Sequence, residues 1–130
     1  MNIPKDLKYT QDHEWVRIED DNTATVGITD FAQSELGEIV YVEVDTVGEE
    51  LDKGEVFGTI EAVKTTSDLF LPLSGTITEF NPELDENESD NPGLINEDPY
   101  GKGWIIKMKI KNPEEIESLM DAEEYEKMIS

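Results

Sequence analysis

The sequence predicts a mainly β fold, a β-sandwich or flattened barrel, with short helices near the N-terminal third and at the C-terminus. Three observations predict it. Apolar residues recur with a period of two in many short runs, and Gly, Pro, Asp and Asn clusters interrupt those runs at close spacing. Helix-start signals occur only at Thr29-Asp30, after Asn112 and at Asp121. A length of 130 residues suits one domain, 1–130.

Residues His13 to Glu19 and Thr23 to Ile28 read as two strands joined across the turn formers Asp20-Asp21-Asn22. Thr29-Asp30 offers a helix N-cap, with Gln33 as the reciprocal partner of Asp30, and Gly37 is placed to end the short helix. From Ile39 the alternation returns and predicts Val40, Val42 and Val44 on one face, with Tyr41, Glu43 and Asp45 on the other. Val56 to Glu61 and Ser67 to Leu71 read as strands around a tip at Ala62-Val63-Lys64-Thr65. Pro72 and Gly75 mark a turn before a strand from Thr76 to Phe80.

Asn81 to Asp98 reads as irregular, because Pro82, Pro92 and Pro99 break any long helix. In the strand Trp104 to Ile110, Trp104, Ile106, Met108 and Ile110 face one way and Lys107, Lys109 and Lys111 the other. Asn112-Pro113-Glu114-Glu115 carries an N-cap signal and a proline at the first helical position. Asp121 with Glu124 repeats the capping pattern, so two short C-terminal helices are predicted.

The charge balance narrows the function. Thirty-two acidic residues against ten basic ones give a formal charge of −22. That argues against nucleic acid, whose phosphates are neutralised by Lys and Arg, and equally against an anionic membrane surface. No apolar run approaches the ~18 residues of a membrane span, and Met1-Asn2-Ile3-Pro4-Lys5 lacks the apolar stretch of a signal peptide. There are no cysteines and one histidine, His13, so thiol catalysis, disulfides and multi-histidine metal sites are excluded. Asp85-x-Asn87-x-Ser89 imitates the start of a calcium loop but has Asp90 where Gly is needed and Asn96 where Glu is needed. His13 beside Glu14 is read as a packing histidine against Trp15 or a sheet edge rather than as an acid–base pair, since neighbours on a strand point to opposite faces.

The segment from Gly58 to Gly75 concentrates the functional signal. Lys64 is predicted at a hairpin tip, with Glu61 three residues before it and Gly75 eleven after. A tight hairpin suits a swinging-arm carrier, because its ladder hydrogen bonds aim one amine away from the body on a rigid stem. This segment resembles the lipoyl-attachment site of the glycine cleavage system H proteins. Asp12-His13-Glu14-Trp15-Val16, Val26 to Gln33, Leu36 to Val42, Asn96 to Gly101 with Gly103-Trp104, and Leu119 to Tyr125 resemble further blocks of that family in the same order.

The resemblance implies a lipoyl/biotinyl-type barrel-sandwich fold and lipoate in amide linkage on Lys64, with Glu61 and Gly75 recognised by the lipoylating enzyme, a lipoate ligase or octanoyltransferase. It implies no catalysis by the chain itself. The arm takes an aminomethyl group from glycine decarboxylase, yields it to aminomethyltransferase and is reoxidised by dihydrolipoamide dehydrogenase. Glu14 and Asp68 match positions associated with a cleft that shelters the arm, where a carboxylate would pair with the ammonium. The resulting expectation is a monomeric cytoplasmic carrier of the glycine cleavage system. An H-protein-like lipoate carrier for sulfur-compound oxidation or lipoyl relay is the alternative. Biotin is disfavoured by Val63 and Thr65 at the positions where biotinyl carriers have methionines.

Overall fold

A computed structural model describes residues 1–20 and 22–130 of the chain. Among these, nine strands form two open antiparallel sheets. The larger contains β1 (Lys8–Tyr9), β2 (Glu14–Ile18), β3 (Thr23–Ile28), β5 (Glu50–Leu51), β8 (Gly75–Phe80) and β9 (Ile106–Ile110), in the order β1-β2-β3-β9-β8-β5. The smaller contains β4 (Ile39–Glu43), β6 (Val56–Ala62) and β7 (Thr66–Phe70), with β6 in the middle. Val26, Ile77 and Met108 of the first sheet share one apolar core with Val42, Ile60 and Leu69 of the second. The mainly β prediction therefore holds.

The period-two pattern explains most strands directly. In β9, Ile106, Met108 and Ile110 are buried while Lys107 and Lys109 face solvent. Trp104 does not continue that row: it precedes the strand, Ile105 behind it is also buried, and Trp104 packs into a second cluster with Tyr9, Trp15 and Tyr125. The alternation predicted for β4 holds from Val42 onward, with Val42 buried, Val44 packed against the core and Glu43 and Asp45 exposed, and fails at Val40. A register shift between Ile39 and Tyr41 turns Val40 outward to 43% exposure and places Ile39 and Val42 in the core. The bulge puts the residues before and after it out of step, so Ile39 takes the core position that the sequence pattern gives to Val40, which hydropathy alone does not reveal.

Helix α1 (Asp30–Leu36) begins as the capping signal requires, but the cap is Thr29, whose side-chain oxygen accepts from Ala32 N. Gln33 bonds the Asp30 side chain at 2.7 Å, and Gly37 ends the helix at φ 82°. Within the stretch read as irregular lies a one-turn helix α2 (Leu94–Glu97). The first C-terminal helix is a 3₁₀ helix (Pro113–Ser118), and Asn112 does not cap it through its side chain. Helix α3 (Ala122–Ile129) has the predicted capping box, with Asp121 and Glu124 bonded reciprocally. In the predicted Asp20-Asp21-Asn22 turn, Thr23 N–H bonds Asp20 O at 2.9 Å and Asn22 has φ 67°, whereas Asp21 lies outside the described residues.

Two contacts set the position of the site. Trp15 on β2 lies over Gly27 on β3, where a Cβ would come within 2.6 Å of the indole, and its Nε1 donates to Pro99 O at 2.9 Å. Asn96 of α2 accepts from Ile39 N and donates to Gln33 Oε1 and Gly37 O, each at 2.9 Å. One amide thereby ties α1 to the start of β4.

Candidate functional site

Strands β6 and β7 pair with Glu61 opposite Thr66, leaving Val63 and Lys64 as a two-residue loop closed by Ala62 N–H to Thr65 O at 2.7 Å. Val63 N–H reaches Glu38 O at 3.1 Å and ties the tip to the chain entering β4. Lys64 is exposed, and among the described residues it forms no ion pair. The stem is thus stiff and the amine free, with 68%-exposed Val63 beside it.

Glu61 is exposed on β6 and pairs laterally with Tyr41 on β4 and Thr66 on β7, one step below the tip. Gly75 lies elsewhere. It is buried at the start of β8 in the larger sheet, where a Cβ would sit 2.0 Å from Lys109 O and 2.8 Å from the Met108 Cε methyl. Backbone approach alone requires glycine at this position.

Below the tip, a cleft of about 220 Å³ opens between the two sheets and α1. Ser67, Asp68 and Leu69 of β7 form one wall, Phe31, Ala32, Glu35 and Leu36 of α1 another, and His13 and Glu14 the end from β2. Asp68 and Glu14 thus line the same cleft. Asp68 is exposed, whereas Glu14 is only 2% exposed.

The loop before β2 explains how a glutamate comes to be buried. Thr10 Oγ1 accepts from the backbone N–H of Asp12 and Glu14, both at 3.2 Å, and donates to Glu14 Oε1 at 2.8 Å. Phe70 N–H on β7 donates to Glu14 Oε2 at 3.3 Å. Burial pushes the Glu14 carboxyl up to about 8, against the opposing pull of the Thr10 and Phe70 hydrogen bonds. The group is therefore largely uncharged at neutral pH, inside a hydrogen-bonded socket.

The same loop revises the reading of His13. It precedes β2, has φ 68°, and turns its ring into the cleft wall alongside Glu14 instead of to the opposite face. Its aromatic neighbours are Phe31, with ring centroids 5.0 Å apart, and Tyr125 at 5.8 Å, rather than Trp15. Thr10, Phe31, Asn96 and Tyr125 contribute to the site although sequence reasoning assigned them no role there. Their only signal was membership of the resembling blocks or proximity to them.

A stiff hairpin that presents one exposed lysine on a pair of antiparallel sheets is the arrangement of lipoyl/biotinyl-type carriers, and here the cleft ended by Glu14 lies below it. Residues 7–130 match the family model described as glycine cleavage H-protein, and the chain belongs to that family. It is 55% identical to the glycine cleavage system H protein of Bacteroides fragilis over 100% of this chain and 99% of that protein. The Salinibacter ruber H protein is 54% identical, with 96% and 97% covered. Among solved structures, an H protein from Mycobacterium marinum aligns with TM-score 0.82 and 37% identity over 98% of each chain. The family is the non-catalytic, lipoate-carrying component of the glycine cleavage system, and its partners are the enzymes of that system. Among the described residues, no helix is long and apolar enough to cross a membrane.

Proposed function

We propose that Lys64 is the lipoate attachment point and that the loaded arm folds back into the cleft toward Glu14. The observation carrying this reading is the continuity of tip and cleft along one strand. From Lys64 down β7, the cleft residues Ser67 to Leu69 lie roughly 10–17 Å away at ordinary strand rise. A lysine side chain extended by an octanoyl-length acyl group spans a comparable distance. The apolar walls at Phe31, Leu36, Ile60 and Leu69 suit the hydrocarbon part, and the carboxyls of Asp68 and Glu14 suit a cationic terminus.

When attached, lipoate supplies a disulfide that accepts an aminomethyl unit together with two electrons. The protein's own residues then do two things. The hairpin holds Lys64 where several enzymes can reach it in turn, and the cleft excludes water from a group prone to hydrolysis. At the cleft end Glu14 releases its proton to solvent as the ammonium arrives, because an adjacent cation favours the charged carboxylate. Asp68 adds a second, exposed carboxylate at the cleft wall.

Glycine decarboxylase loads this arm, aminomethyltransferase unloads it, and dihydrolipoamide dehydrogenase restores its disulfide. A lipoate ligase or octanoyltransferase attaches it, reading the exposed Glu61 directly and Gly75 through the strand pairing that glycine permits. The carrier acts in the cytoplasm as a monomer of one domain, 1–130.

The test is the intact mass of the protein and its Lys64→Arg variant after incubation with lipoate ligase, lipoate and ATP. The native chain should gain one lipoyl group, and the variant, which keeps the charge but lacks the amine, none. Modification of the variant would place the site on one of the other eight lysines or on the N-terminus and refute the assignment.

A further inference from the structure

Four polar groups from three distant parts of the chain meet behind the cleft. Tyr125 on α3 lies with its hydroxyl 2.8 Å from His13 Nδ1 and 2.7 Å from Thr29 Oγ1. Thr29 Oγ1 also accepts from Ala32 N at 3.1 Å. Thr29 and Tyr125 are both fully buried, so water does not share in this chain. Donor counting then settles its direction. Among the described residues, the Thr29 hydroxyl proton has one acceptor within reach, the Tyr125 oxygen. Tyr125 must consequently donate its own proton to His13 Nδ1, which leaves the imidazole proton on Nε2.

We propose that Tyr125 and His13 are positioning residues for the docked arm: the C-terminal helix holds the His13 imidazole uncharged, as its Nε2–H tautomer, so that the cleft meets an aminomethyl ammonium with carboxyls and no competing cation. The inference rests on the carrier reading above. Protonation of His13 at Nδ1 would reverse the Tyr125 donor, and Tyr125 would then have to donate to Thr29 and strand the buried Thr29 proton. The backbone reinforces the arrangement, because His13 sits at φ 68° with its N–H on Thr10 O and its C=O accepting from Thr29 N–H. Burial lowers the imidazole from its usual 6.5, opposed by the carboxylates of Asp12 and Glu35. The other ionisable groups of the surroundings are Glu14, Asp68 and Tyr125. Without the Tyr125 hydroxyl, these acidic neighbours would favour a charged ring, and a charged ring would repel the docked ammonium.

His13 is the chain's single histidine, so its side-chain nitrogens can be observed without ambiguity. The first experiment is ¹H–¹⁵N correlation spectroscopy of the full chain without lipoate, from pH 5 to 8, which does not depend on the arm. The native protein should show the Nε2–H tautomer at neutral pH and an imidazole pKa below 6.5. Tyr125→Phe, which keeps the ring stacked on Tyr9 at 4.9 Å, should show mixed tautomers and a raised pKa. An Nδ1–H tautomer in the native protein, or spectra unchanged in the variant, would overturn the proposal.

The second experiment follows loss of the aminomethyl group from the isolated, loaded protein. Tyr125→Phe should accelerate this loss roughly tenfold at pH 6 and leave it unchanged at pH 8, from the repulsion of two nearby cations at partial burial. Adding His13→Gln should abolish the acceleration. If the acceleration survives in the double variant, or never occurs, the positioning role is refuted. Failure of the carrier reading would instead appear earlier, as absence of lipoate on Lys64.

Discussion

Glu14→Gln probes the central electrostatic feature of the cleft. The carboxyl is 2% exposed and titrates near 8 in the folded chain, against 4.5 when unperturbed. Between these values the native state holds a proton that the unfolded state has released, so stability falls as pH rises from about 4.5 and levels off above about 8. At 1.36 kcal/mol per unit, the interval corresponds to at most about 5 kcal/mol. Glutamine cannot titrate, and it places an amide N–H₂ against either the Thr10 donor or the Phe70 donor, losing one hydrogen bond at about 1–2 kcal/mol. The variant should therefore be less stable than the native chain near pH 5 and more stable by roughly 2–4 kcal/mol at pH 8.5. Urea melts without lipoate are the assay, since an ionic denaturant would screen the −22 charge and change the background. The comparison at each pH removes the titration of the other carboxylates. Parallel stability profiles for the two proteins across pH 5 to 8.5 would mean that Glu14 is not buried uncharged, and the reasoning would fail.

Two further substitutions address the scaffold. Gly75→Ala puts a methyl 2.0 Å from Lys109 O, so β8 and β9 must part, and a loss of about 2–4 kcal/mol in urea melts is expected. Unchanged stability combined with lost lipoylation would instead assign Gly75 a direct recognition role. Asn96→Ala removes three hydrogen bonds that join α1, β4 and α2 and should cost about 2–3 kcal/mol. Faster amide exchange across α1, the cleft wall, is the accompanying signature.

The parts of this fold that were legible in the sequence are those that local pattern controls. The Lys64 tip lies where two alternating runs leave room for a short turn, and the Asp121–Glu124 box starts α3 as capping chemistry requires. The misreadings share a different cause. Val40 has the hydropathy of a core residue, and only the pairing of β4 with β6 inserts the bulge that turns it out. The two-residue strands β1 and β5 are too short to alternate at all. Trp104 continues an apolar row in sequence, but its space beside Tyr9 and Trp15 draws it out of β9.

The cleft was legible only in part, for a related reason. Glu14 and Asp68 were named from a resemblance, and nothing local distinguishes them from the other acids among 32. What separates them is long-range geometry. Glu14 is enclosed by a loop turned on Thr10 and by a backbone N–H from a strand 56 residues away, whereas Asp68 stays exposed on that strand's rim. One carboxyl is consequently neutral and waits for a cation, while the other is solvated at the cleft wall. A chain this acidic could attract an ammonium almost anywhere on its surface. It can retain one only where desolvation makes an uncompensated carboxylate costly enough for an arriving cation to be favoured over water.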